Sequence, residues 1–286
     1  MKLAIIGSNG QLGTDLYDVL STKNNVDGLT HSDIEITDID NVSKVLSALR
    51  PDVVLNTAAY NLVAEAERFP EKAHRINSIG TWNLAKICQH LQIALVHYST
   101  DYVFDGSKRK PYSEDDCPNP LNVYASTKLS GEYFARNYCD RSYVIRVSGI
   151  YGKVPCRGKG GNFITTMIKQ ADEKKEVKVV DDEILTPTPT YSIATNTAAL
   201  IESGNFGLYH MTCQGEVSWY QFARVIWETL GLQTPLSPAS VKDFPSVVKR
   251  PFYSVLENKN LGKLGIDQMP DWKDALVKFL REEFQK

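Results

Sequence analysis

The sequence lacks a long apolar run. Its first hydrophobic stretch, Lys2 to Ile6, stops at Gly7, far short of a signal peptide or the roughly 20 residues that a membrane span needs. No membrane partner is expected. An excess of one charge is missing too: 32 Lys and Arg against 34 Asp and Glu leave a net charge of −2, so no basic field exists to gather nucleic acid. Cysteines are few and odd in number, 5 in all, at Cys88, Cys117, Cys139, Cys156 and Cys213. None falls in a C-x-x-C pair, which argues against zinc spacing and a disulfide framework and points to a reducing, cytoplasmic setting. Internal repeats, low-complexity tracts and linkers are also lacking. What is present is a chain of 286 residues, 42% hydrophobic and 23% charged, ordinary for a globular protein with one large domain or two intimate ones.

In the first half, short β-branched runs alternate with longer helical patterns, the signature of βαβ units and a parallel sheet covered on both faces. Strands are expected at Leu3 to Ile6, Val26 to Leu29, Val53 to Asn56, Ile93 to Tyr98 and Tyr143 to Val147, with helices at Gln11 to Leu20, Val42 to Leu49, Glu71 to Leu91 and Asn122 to Tyr138. After residue 150, Pro155, Gly158, Gly160, Gly161 and Pro187-Thr188-Pro189 interrupt the pattern and read as loops. Helices at Phe163 to Glu173, Ser218 to Leu230 and Trp272 to Phe284, and strands at Val177 to Val180 and Gly207 to Met211, remain. The expectation is an α/β fold, a Rossmann-type doubly wound parallel sheet with a smaller C-terminal substrate lobe. Residues 1–150 form the dinucleotide-binding domain, and 151–286 hold the remaining sheet elements interleaved with the lobe.

The first strand runs into Gly7-Ser8-Asn9-Gly10-Gln11-Leu12-Gly13. Glycines at a strand-to-helix junction permit a tight turn and a close approach of backbone to a pyrophosphate, while the helix N-terminus offers N–H donors. A plain glycine-rich βα turn shares the pattern; its place after the first strand favours a dinucleotide. The second strand leads into Thr30-His31-Ser32, with no acid at its tip to repel a 2′-phosphate and no arginine to attract one. NADPH and NADH both stay open. Asp33 and Glu35 read equally as adenosine contacts or solvated acids.

Tyr124-Ala125-Ser126-Thr127-Lys128 opens a predicted helix. The spacing stacks phenol and ammonium one turn apart, and a nearby cation is expected to lower the phenol's pKa and make Tyr124 a better acid. Y-x-x-x-K is common as a surface pair; here it lies downstream of the glycine turn and of a strand delivering Ser99, Thr100 and Asp101 to the carboxyl edge of the sheet. Either hydroxyl, Ser99 or Thr100, could bind a substrate carbonyl; both could instead cap a turn. Asn77 either orients Lys128 through water or satisfies a buried helix contact.

Together these residues resemble the extended short-chain dehydrogenase/reductase family, and most closely its dTDP-4-dehydrorhamnose reductases. The resemblance spans nearly the whole chain: Gly7 to Gly13, Arg50 to Val54, Asn56 to Tyr60, Asn77 through Asn83-Leu84-Ala85, the octet Ser99 to Gly106, Tyr124 to Lys128, and Arg250-Pro251. It implies hydride transfer from NADPH or NADH to C4 of a dTDP-linked 4-keto-6-deoxy sugar in dTDP-L-rhamnose biosynthesis, with Tyr124 protonating the oxygen, Thr100 holding it and Lys128 binding the nicotinamide ribose. It further implies that Gly7, Asn9, Gly10, Gln11, Leu12 and Gly13 meet the pyrophosphate, Glu35 and Ile36 the adenine side, and Ala58, Ala59 and Tyr60 the dinucleotide's middle. Thr100, Asp101, Tyr124, Asn162, Phe163 and Arg250 are the expected substrate contacts, Asn162 reading equally as a helix cap and Arg250 as a surface cation.

Departures from the family pattern fall on the sugar side: Val63-Ala64-Glu65-Ala66-Glu67 for Val-Asp-Lys-Ala-Glu, Gly149 where a tryptophan is common, and Glu183 and Leu185 where Gln and a small residue are expected. Asp15 sits where some relatives place a metal between subunits, but one carboxylate makes no site, and no metal is expected. The implied partner is a nucleotide-sugar substrate, with a homodimer left open. Two other functions compete: a nucleotide-sugar epimerase or dehydratase on the same scaffold, and a non-catalytic regulatory subunit that kept the fold.

Overall fold

The computed structural model describes residues 1–156, 158, 160–244 and 246–285. The first half runs β1 (Lys2–Ile6), α1 (Gln11–Leu20), β2 (Asn25–Leu29), α2 (Ile39–Leu49), β3 (Val53–Asn56), α3 (Val63–Arg68), α4 (Pro70–His74), α5 (Gly80–Leu91), β4 (Ala94–Thr100), α6 (Val123–Tyr138) and β5 (Ser142–Val147). The second half adds β6 (Ile150–Tyr151), α7 (Phe163–Glu173), β7 (Val177–Val180), β8 (Ile184–Leu185), β9 (Thr188–Pro189), α8 (Thr190–Ser203), β10 (Gly207–His210), β11 (Val217–Ser218), α9 (Trp219–Leu230), β12 (Leu236–Ala239), α10 (Lys259–Lys263) and α11 (Trp272–Phe284).

The central sheet has 6 strands in the order β10-β5-β4-β3-β1-β2, every pair parallel. Side chains alternate along each strand. Leu3 and Ile5, Val53 and Leu55, Val96 and Tyr98, and Tyr143 and Ile145 pack under α1 and α8; Ala4 and Ile6, Val54, Leu95 and Val144 pack under α2, α5 and α6. Both faces are therefore apolar, the condition for a parallel sheet covered on two sides. Since β2 and β3 lie on opposite sides of β1, the strand order reverses at β1/β3, the topological switch point at whose carboxyl end ligands bind. A separate apolar cluster joins Ile164 and Met167 of α7, Phe222 and Ile226 of α9, and Leu276 and Leu280 of α11, making the small lobe.

Three features differ from the sequence expectation. The helix expected from Glu71 to Leu91 is broken by a turn of π-helix at Arg75–Ile79. Helix α8 was not expected, because Pro187-Thr188-Pro189 reads as loop and the segment is rich in Thr, Ser and Tyr. Pro189 ends up as its N-cap, and burial of Ile193, Ala194, Leu200 and Ile201 against α1 supplies the stability that propensity does not. Strand β12 contains Pro238 yet pairs with β7; Pro at the edge of a two-stranded ribbon removes no needed donor.

Candidate active site

A cleft of about 1880 Å³ opens at the carboxyl ends of β1, β3, β4 and β5 and is bounded on its far side by α7 and β8. It exceeds the ~300–1,000 Å³ typical of a site for one drug-sized ligand, as a site for two large ligands must.

At its floor, Gly7 turns with φ +79°. A Cβ on Gly13 would lie 2.2 Å from the Gly7 carbonyl oxygen, and one on Gly7 would lie 2.7 Å from Thr57 Oγ1, so only glycine lets strand, turn and helix close up. Gly10 is the N-cap of α1 and has no side chain to cap the first turn. The N–H groups of that turn, which have no partner inside the helix, therefore face the cleft that Gly7, Asn9, Gly10, Gln11 and Leu12 line. Gln11 donates from Nε2 to the Ile150 carbonyl at 3.1 Å, while its buried Oε1 has no partner among the described residues. This cradle fits a dinucleotide's pyrophosphate. Ala58, Ala59 and Tyr60 continue the floor. Gly13 lies behind the turn rather than in the lining. Glu35 and Ile36 also lie outside it: Glu35 accepts from the Thr37 N–H and hydroxyl at 2.9 and 2.8 Å, and the buried Ile36 packs on Gly80. Asp33 is engaged by the Thr30 N–H at 2.8 Å.

Strand β4 brings Thr100 into the cleft beside Tyr124 and Lys128 of α6. The two hydroxyls differ in what holds them, although both residues line the cleft. Ser99 donates to Glu132 at 2.5 Å, and Glu132 is held by the buried Arg146 at 2.9, 3.1 and 2.6 Å. Thr100 is turned the other way, donating to Asp101 at 3.0 Å and accepting from the Tyr102 N–H at 3.2 Å. Asp101 also receives the hydroxyls of Ser148 and Ser254, at 2.9 and 2.6 Å. Burial raises its carboxyl pKa and these hydroxyls oppose the rise.

Helix α6 is fixed at its start by three groups. Asn122 caps it, accepting from the Ala125 N–H at 2.9 Å, and also donates to the Lys249 carbonyl at 2.9 Å. Glu67 accepts from the Val123 N–H at 2.8 Å. Asn77, in the π turn, receives the Tyr60 N–H and donates to Tyr60 O and Thr127 Oγ1; every one of its contacts is made within the buried helix junction. Tyr124 packs edge-on against Tyr102, ring centroids 6.4 Å apart.

The electrostatics differ from the sequence expectation. Burial raises the Tyr124 phenol, with only the Thr100 hydroxyl pulling it down, and Asp101 adds to the rise. Lys128 makes no lowering contribution to Tyr124, and burial lowers the Lys128 ammonium itself to about 8, with the nearby Glu132 carboxylate opposing. The half-buried phenol and the buried ammonium thus each shift toward the neutral form, and the phenol holds its proton.

On the far wall, Asn162 caps α7, accepting from the Thr165 N–H at 3.1 Å, and also donates to the Gly152 carbonyl at 3.1 Å. Phe163 stacks on Trp219 with centroids 4.4 Å apart, and both line the cleft with the exposed Arg250. Sequence reading missed Trp219, which no spacing links to the motifs, and gave no task to Tyr102 and Thr57, although they lie inside the segments Ser99 to Gly106 and Asn56 to Tyr60. Asp15 receives the Thr190 hydroxyl and faces Lys153 at 3.8 Å; among the described residues no cluster of acids, His and Cys suits a metal. None of the described helices is long and apolar enough to cross a membrane.

The chain is 36% identical over 282 residues to the spore coat polysaccharide biosynthesis protein SpsK of Bacillus subtilis, covering 98% of this chain and 97% of that one. A crystal structure of a dTDP-4-dehydrorhamnose reductase from Clostridium acetobutylicum superposes with a TM-score of 0.95 at 36% identity, covering 100% of both chains. A dTDP-4-dehydrorhamnose reductase from Bacillus anthracis, crystallised with NADP, gives 0.94 at 34% identity over 98% of this chain and 99% of that one. The family model described as the RmlD substrate binding domain matches residues 1–284, and the chain, with its short-chain reductase fold, belongs to that family.

Proposed function

We propose that the chain is a dTDP-4-dehydrorhamnose reductase, reducing the C4 keto group of a dTDP-linked 4-keto-6-deoxy sugar with NADPH or NADH in dTDP-L-rhamnose biosynthesis. One observation carries the reading: Thr100, Tyr124 and Lys128 line the same cleft as the uncapped N-terminus of α1 and its glycine turn. Residues 1–150 hold the dinucleotide, and the small lobe interleaved with the remaining sheet elements in 151–286 holds the sugar nucleotide. When bound, the dinucleotide supplies the hydride.

Each residue then has a task. The N–H groups of Gln11 and Leu12 take the pyrophosphate at the positive end of α1. Thr100 donates to the keto oxygen, and Tyr124, protonated at rest, delivers the proton to that oxygen as negative charge develops there. Lys128 binds the nicotinamide ribose and stabilises the phenolate that remains. Arg250 pairs with the substrate diphosphate, for which its fork is suited, and Asn162 and Phe163 flank the nucleotide. The chain works in the cytoplasm, in keeping with its free cysteines.

The test is the absorbance of NADPH and of NADH against dTDP-, GDP- and UDP-linked 4-keto sugars. Stoichiometric oxidation with a dTDP-4-keto-6-deoxyhexose is expected. A dinucleotide that stays at its starting redox state while the sugar is converted would instead identify an epimerase or dehydratase.

A further inference from the structure

Among the buried side-chain oxygens of the cleft wall, Glu183 Oε1 has no hydrogen-bond partner among the described residues. Glu183 is 6% exposed and lines the cleft together with Thr100, Tyr124 and Arg250. A buried carboxyl with an idle oxygen is costly unless something meets it. Its backbone is not free to move the group elsewhere. The next residue, Ile184, donates to the Phe252 carbonyl at 2.9 Å and accepts from the Ser254 N–H at 2.8 Å, and β8 pairs with β11 on its other side. Ser254 in turn binds Asp101, which ties this wall to the residue that Thr100 contacts.

The adjoining wall is shaped to match. Gly149 has φ +52°, and a Cβ there would lie 2.9 Å from Leu185 Cδ1 and 3.1 Å from Pro187 Cα. Leu185 therefore occupies the space that a side chain at position 149 would need. A side chain at 149 would require Leu185 to shift and would also crowd the Pro187 backbone, so the two departures noted in the sequence meet at one place in the wall. This arrangement leaves an apolar surface beside Glu183. The charged and titratable neighbours of that carboxyl are Arg250, Asp182, Asp101 and Tyr102, and the Trp219 indole hydrogen-bonds it, so that Oε1 is the oxygen left without a partner among the described residues.

We propose that Glu183 is a specificity-determining residue, whose carboxyl hydrogen-bonds a ring hydroxyl of the sugar while Leu185 over Gly149 packs against the ring. This rests on the reductase reading of the site. A polar group so placed rejects a ligand that lacks its partner, because the carboxyl is then left unpaired.

Initial rates with NADPH test it, using a dTDP-4-keto-6-deoxyhexose and its 2-deoxy and 3-deoxy counterparts on wild type, Glu183→Gln and Glu183→Leu. The wild type is expected to prefer the hydroxylated sugar over one of the two analogues by roughly 10- to 100-fold in kcat/KM. Glu183→Gln should keep most of that preference. Glu183→Leu should lose it through a raised KM for the sugar, with the KM for NADPH within about twofold of wild type. A folded Glu183→Leu with the preference intact overturns the assignment, as does a wild type that does not distinguish the three sugars. If the leucine variant does not fold, a crystal structure of the wild type with NADP and the dTDP-sugar decides: a sugar hydroxyl within hydrogen-bond reach of the carboxyl supports the proposal, and none within reach ends it. A wild type that oxidises no NADPH with any keto-sugar removes the reductase reading itself, and this inference with it.

Discussion

In the floor of the cleft, between β1 and β5, the groups proposed to meet a ligand are backbone N–H groups, the Thr100 hydroxyl, the Tyr124 phenol and the Lys128 ammonium, and the side chains beneath them are largely paired with one another. Ser99 is taken by Glu132, Glu132 by Arg146, and Asn77 by Tyr60 and Thr127. In the far wall the groups are long side chains, an exposed Arg250 and the incompletely paired Glu183. The difference teaches where each kind of recognition is stored. Backbone geometry held by glycines recognises a pyrophosphate common to many ligands, and it needs a rigid support. Side chains on short strands recognise what distinguishes one sugar from another, and their unpaired atoms are completed by the ligand.

The sharpest break of that comparison is at the floor. Tyr124→Phe removes the proton donor and should lower kcat by about 10²- to 10⁴-fold, while the dissociation constant of NADPH, read by fluorescence titration, stays within about threefold. A variant that keeps more than a tenth of wild-type kcat shows that the proton comes from elsewhere.

Beneath the floor, Glu132→Gln tests whether the closed network is structural support. It leaves the Arg146 guanidinium buried without its counter-charge, both side chains being 2% exposed. Breaking such a pair costs about 3–5 kcal/mol, to be measured by urea denaturation. A loss below about 1 kcal/mol would mean that water or another acceptor reaches Arg146.

The smallest effect concerns pH. Burial lowers Lys128 to about 8, so the folded chain gives up this proton before the unfolded chain does. Between about 8 and the ordinary lysine value of 10.5 the unfolded state binds more protons, and this residue's contribution to stability rises with pH. The cation is the form that the chemistry uses, so kcat/KM should fall about tenfold per pH unit above that pKa. Activity and the stability difference between wild type and Lys128→Met should thus run in opposite directions across the window. Parallel slopes would show that Lys128 is not the group titrating.

Much of this was legible in the sequence because it depends on short-range pattern. The near-continuous apolar runs Leu3 to Ile6 and Tyr143 to Val147 report a sheet buried on both faces, and α1, α7 and α11 occur at the bounds their periodicity gives. The spacing of Gly7, Gly10 and Gly13, and of Tyr124 and Lys128, is local geometry and survives any packing. Helix α8 was not legible because its stability comes from α1 rather than from its own residues.

The remaining decisions needed the chain folded. Spacing left Ser99 and Thr100 as alternatives and only the family resemblance chose Thr100; the fold adds that Ser99 is bonded to Glu132, brought under β4 by α6, and Thr100 to Asp101. Sequence read a lysine one turn from a tyrosine as an acidifying pair, whereas the burial of both, a property of the whole assembly, raises the phenol and lowers the ammonium. It recorded Gly149 and Leu185 as two separate departures, and the fold brings them together in one wall of the cleft. Residue spacing along a strand or helix fixes which groups share a face, since that follows from bond geometry alone; which of those groups remain unpaired, and what charge they keep, depends on neighbours far away in the chain and on the water that folding removes.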